Sequence, residues 1–140
     1  MQIVQNALWL VKKRQILISA YRHDYVTAEV DGKDIMLDGG TAYFKCSGPI
    51  EELIQDGKVI DLRLTDESPE DEIKHKIIWG THGKDGKLAE TRWVFLKNCD
   101  DAHLEKILQF PYLCKIRKRA INQILEDRKN GNIPKIPTDG

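Results

Sequence analysis

Three short stretches hold most of the side chains that can do chemistry in this 140-residue chain. Arg22-His23-Asp24 places a guanidinium, a titratable imidazole and a carboxylate in consecutive positions. In an extended strand Arg22 and Asp24 share one face and His23 points to the other, so a His–Asp catalytic couple built from neighbours is awkward. The plainer account has Asp24 accepting turn amides or pairing with Arg22, and His23 hydrogen-bonding within the core. Asp38-Gly39-Gly40 reads as an Asx turn with glycines at positive φ. Its functional alternative is that bare glycine backbone lets an anionic or planar ligand approach its N–H groups. Tyr43 and Lys45, alternating on the strand expected next, offer a stacking face and a phosphate partner, or ordinary cross-strand packing. Thr81-His82-Gly83-Lys84-Asp85-Gly86-Lys87 has the composition of a phosphate-cradling loop. It fails the P-loop spacing, because Gly80 to Gly86 is one residue too long and Leu88 replaces the Ser/Thr. A hairpin tip is the plainer account. The candidate ligand-binding residues are therefore Arg22, His23, Asp24, Asp38, Gly39, Gly40, Tyr43, Lys45, Thr81, His82, Lys84 and Lys87. The first two stretches and the third are expected to converge into one polar concavity.

Other chemistries lack a pattern. The histidines His23, His75, His82 and His103 do not cluster at zinc-ligand spacing, and there is no G-x-S-x-G elbow. Cys46, Cys99 and Cys114 are odd in number and form no C-x-x-C pair, so free thiols are expected, with no metal and no disulfide. No cofactor and no catalytic residue is assigned.

These residues need a scaffold, and the chain predicts an α+β domain over 1–130 with a loose tail over 131–140. Residues 6–12 and 15–20 read as apolar strands around a Lys13-Arg14 turn. Residues 25–30 and 33–37 flank Asp31-Gly32, a strong type I′ hairpin signal. With a further strand over 41–46, an antiparallel meander spans 7–46. Pro49 and Gly57 bracket a short helix. Residues 58–64 form a strand with an irregularity. Ser68 and Pro69 start a second short helix, with Ser68 as its cap. Strands over 76–81 and 91–97 pair across the Gly-rich loop and join the main sheet. Two C-terminal helices follow, separated by Pro111, and they cover one sheet face through Leu104, Leu108, Ile116, Ile121 and Leu125.

Composition describes a soluble globular protein: 41% hydrophobic, 31% charged, with a formal net charge of zero. The longest apolar run is far short of the roughly 20 residues of a membrane span, so no membrane partner is expected. The start lacks the pattern of a signal peptide, and a cytoplasmic location is the expectation. Charge is uneven: residues 71–140 are net basic, and Lys115, Arg117, Lys118 and Arg119 form the densest run. Nucleic acid is a possible partner only through that local patch.

The combination RHDYV, LDGGTAYFK, WGTHGKDGK, WVFLKN and AHLEKIL, in order over residues 6–128, resembles a family of small phage-encoded proteins of unknown function. Some shorter relatives carry cysteine pairs around the RHD segment that look like a zinc ribbon. Residues 7–37 here contain no cysteine, so apolar packing would stand in for any metal. The resemblance implies a phage accessory role in the host cytoplasm. Two functions remain in view. One is a binding protein that sequesters a phosphorylated, nucleotide-like ligand or blocks a host factor. The other is a small hydrolase or nucleic-acid-processing enzyme using His23, Asp24, Asp38 and His82.

Overall fold

A computed structural model describes residues 2–81 and 91–131. The chain divides into two compact units, Met1–Glu67 and Ser68–Gly140. The class is α+β, with antiparallel sheets and short helices. Among the described residues, no helix is long and apolar enough to cross a membrane.

The first unit begins with β1 (Ile3–Leu10) and β2 (Gln15–Ser19), paired antiparallel from Asn6↔Ser19 to Leu10↔Gln15. The other edge of β1 takes β6 (Val59–Asp61) and then β7 (Leu64–Thr65), separated by a break at Leu62–Arg63. There Arg63 folds back on its neighbour, donating from Nε and Nη2 to the Asp61 carboxylate at 2.8 and 3.0 Å.

A second sheet holds β3 (Val26–Val30), β4 (Lys33–Asp38) and β5 (Lys45–Ser47). Asp31 and Gly32 both have positive φ, 50° and 75°, as a type I′ turn requires. The expected single meander over 7–46 is thus two sheets, because a turn over residues 20–25 redirects the chain between β2 and β3. The helix α1 (Ile50–Gln55) ends at Gly57, whose φ is 72°. Pro49 stands at its N-cap, one position before that expected. Leu8, Leu10, Val30, Ile35, Leu37, Ile50, Leu53 and Val59 form one buried cluster joining both sheets and α1. Each such side chain contributes roughly 1.5–3 kcal/mol.

The second unit holds α2 (Glu70–Lys76), the hairpin β8 (Ile78–Thr81) and β9 (Arg92–Phe95), a 3-10 turn, α3 (Asp101–Ile107) and α4 (Lys115–Lys129). Pro69, not Ser68, occupies the α2 N-cap. Among the described residues β8 and β9 pair only with each other, not with the main sheet as expected. Asp100 caps α3 by accepting the His103 N–H at 2.8 Å. Leu104, Ile107, Ala120, Ile121 and Ile124 are buried, whereas Leu108, Ile116 and Leu125 are half-buried. Two charged residues on α4 are buried and paired. Asp127 accepts from Lys74 Nζ at 2.7 Å, and Arg128 donates to Asp101 at 2.9 Å and to the Lys97 carbonyl at 2.8 Å. Single buried charges would be costly, and pairing offsets that cost.

Candidate functional site

The Arg-His-Asp triplet is in a turn, not in a strand, which removes the face alternation expected of it. Asp24 bends the chain back: its Oδ2 accepts the Ala20 N–H at 2.7 Å and its N–H reaches the Tyr21 carbonyl at 3.0 Å. His23 sits between them at φ 67°, a left-handed conformation that costs a residue with a Cβ about 1–2 kcal/mol. Arg22 and His23 are exposed at the tip.

The Asp38-Gly39-Gly40 turn lies directly against this one. The Gly39 carbonyl accepts the N–H groups of Ala42 and Tyr43, so residues 41–43 curl instead of extending, and β5 starts only at Lys45. Tyr43 is therefore not the strand residue expected. Gly40, at φ 53°, touches the Tyr21 backbone so closely that a Cβ would collide with it. That contact is why glycine is needed here.

Ser19 locks the two turns together. Its hydroxyl donates to the Asp24 carbonyl at 2.6 Å and accepts the Gly40 N–H at 2.9 Å. Asn6, opposite Ser19 in register, donates from Nδ2 to the Asp38 carbonyl at 3.0 Å. Both side chains are almost fully buried. Neither was among the sequence candidates. Their signal was two polar residues at matching distances from one hairpin turn within apolar strands.

The Gly39 N–H is taken by Asp38 Oδ1 at 2.7 Å, and the Gly40 N–H by Ser19. These amides thus hold the turn together and do not face a ligand. Tyr43 joins this turn to the histidine. Its phenol lies 2.9 Å from His23 Nδ1 and 3.4 Å from Asp38 Oδ2. A carboxylate only accepts, so Tyr43 donates to Asp38, and in the Nδ1–H tautomer of His23 its oxygen also accepts from the imidazole. His23 Nε2 makes no hydrogen bond among the described residues. Partial burial and the Asp38 carboxylate raise the phenol's pKa, while Arg22 pulls it the other way. Tyr43 thus stays a neutral hydroxyl.

Arg22, His23, Asp24, Asp38, Gly39, Gly40 and Tyr43 are thereby brought into one cluster. Lys45 is exposed on β5 as the pairing partner of Asp38. Thr81 is buried on β8. His82, Lys84 and Lys87 lie outside the described residues, and with them the expected concavity. Among the described residues, no group of three or more His, Cys, Asp or Glu could hold a metal ion. Cys46 and Cys114 are exposed and Cys99 is buried, all three as free thiols. Of the basic run, Arg117 is turned inward, donating to the Ile78 carbonyl at 3.3 Å, while Lys115, Lys118 and Arg119 are exposed.

Comparison of the chain with protein-family models, curated proteins and solved structures finds no match.

Proposed function

We propose that this chain is a non-enzymatic binding protein whose first unit takes a phosphorylated, nucleotide-like ligand on the Arg22–His23 turn. One observation carries the reading. His23 is pinned by Tyr43 with its outer nitrogen free, beside an arginine with no ion pair or hydrogen bond among the described residues. An arginine left without a carboxylate offers a planar fork for the phosphate, and the Nε2 lone pair of the fixed imidazole accepts from a hydroxyl of the same ligand. Tyr21 and Tyr25, 67% and 64% exposed, bracket the pair and present flat faces to a ring-bearing ligand. The resemblance of the motifs to small phage-encoded proteins supports reading such binding as an accessory role: withholding the ligand, or blocking a host factor.

A second reading, a small hydrolase or nucleic-acid-processing enzyme, draws on the Asp38–Tyr43–His23 chain, which leaves His23 Nε2 available as a base. Asp24 is already committed to its own turn amide.

Calorimetric titration of the full chain with pyrophosphate and nucleoside monophosphates separates the two. The binding reading expects saturable heat, weakened about tenfold or more by Arg22→Ala, with the ligand recovered intact. Hydrolysed ligand would move the conclusion to the enzyme. Absence of binding would overturn the site.

A further inference from the structure

The second unit carries a surface that the Arg22–His23 turn does not explain. With 100° per residue, the buried residues of α4, namely Ala120, Ile121, Ile124, Asp127 and Arg128, fall on one side of the helix. Lys115, Lys118, Arg119, Asn122, Glu126 and Lys129 fall on the other, and all six are exposed. Four cations thus face one acid along about 21 Å of helix axis. Arg119 approaches Glu70 only at 3.9 Å, with both side chains largely in water, so that pair contributes little. Three of the cations stand in the first turns, where the helix dipole disfavours positive charge. Helix stability therefore does not explain their placement.

Exposed aromatics lead directly into this face. Tyr112 is 96% exposed and Phe110 is 53% exposed, its ring edge-on to Trp79 at 5.4 Å. The Leu113 N–H closes a turn onto the Phe110 carbonyl, and α4 begins two residues later. Tyrosine normally buries most of its ring, so one presented almost wholly to water calls for a partner.

We infer that this face binds single-stranded nucleic acid, with Lys115, Lys118 and Arg119 on the phosphates and Tyr112 under a base. Charge complementarity selects a polyanion, and an accessible ring selects one whose bases are free to stack. A duplex offers no open base face. A lipid surface would need the apolar side of α4, which is already buried. The surface belongs to the second unit alone and stands whether or not the Arg22–His23 turn holds a ligand.

Fluorescence anisotropy of the full chain with labelled oligo-dT and oligo-rU of about 12 nucleotides, across a salt series, tests this directly. Wild type should bind, and its affinity should fall as salt rises. The Lys115→Gln, Lys118→Gln double variant should flatten the logarithmic salt slope by about 1.4, since each phosphate contact contributes about 0.7. Tyr112→Ala should weaken binding about tenfold and leave the slope unchanged. Absence of binding at about 50 mM salt would overturn the inference. So would equal affinity for a duplex with no effect of Tyr112→Ala, which describes a bare electrostatic face. Binding to anionic vesicles in preference to the oligonucleotides would overturn it as well.

Discussion

The phenol oxygen of Tyr43 stands 2.9 Å from Nδ1 of His23, 20 residues away in sequence, and only 3.4 Å from the carboxylate of Asp38. By distance, the contact with His23 is the better hydrogen bond. A histidine at positive φ on a turn tip is thus held by a side chain from the neighbouring turn. Tyr43→Phe keeps the ring and removes both contacts. The variant should unfold at a lower urea concentration and release the His23 ring, seen as averaged imidazole resonances. A His23 ring that stays fixed would show that the turn backbone alone holds it.

The two glycine turns should respond unequally to one methyl group. Gly40→Ala drives a Cβ into the Tyr21 backbone at positive φ and should cost about 2–4 kcal/mol. Gly32→Ala, also at positive φ but facing open space, should cost about 1 kcal/mol. Thermal unfolding of both variants checks the ordering. Equal losses would mean that the two turns do not abut at Gly40.

Much of the scaffold was legible in local chemistry. Asp31-Gly32 announced its hairpin, Pro49 and Gly57 marked the limits of α1, and of the stripe expected on α4 Ile121 is buried while Ile116 and Leu125 are half-buried. The site itself was less legible, because non-local contacts build it. Residues on both sides of the Arg-His-Asp triplet read as strands. In the turn that separates them Tyr21 lies against Gly40, a contact no local pattern encodes. The Gly39 carbonyl similarly captures two amides that an extended strand would have kept, so β5 begins late. Asn6 and Ser19 could have been found by pairing the first hairpin residue by residue, since they face each other in register.

The Lys74–Asp127 pair sets an acid limit on the second unit. The hydrogen bond from Lys74 lowers the Asp127 pKa despite burial, and the same bond raises that of Lys74. The stability due to Asp127 is present above its unfolded-state pKa and is lost as pH falls through the lower folded value. The share due to Lys74 is present below its ordinary pKa and is lost as pH rises through the higher folded one. Asp127→Asn should cost about 2 kcal/mol at neutral pH, and its difference from wild type should shrink below about pH 4. Urea unfolding at several pH values measures this. A pH-independent difference would assign the loss to packing.

Thiol chemistry should report burial. Cys99 is buried, and that burial pushes its pKa up to about 11. In the native protein Cys46 and Cys114 should react promptly with a thiol reagent, and Cys99 only on unfolding. Three equal, rapid reactions would place Cys99 at the surface.

The claim that the Arg22–His23 turn is a recognition site is tested most directly by nitrogen-resolved NMR of the His23 imidazole during titration with pyrophosphate. The free protein should show the Nδ1–H tautomer set by Tyr43, and added pyrophosphate should shift His23 Nε2 and the Arg22 guanidinium in a saturable way. In Arg22→Ala the His23 shift should need about tenfold more ligand. Pyrophosphate that leaves both side chains unmoved, or moves only residues elsewhere in the chain, would contradict the account.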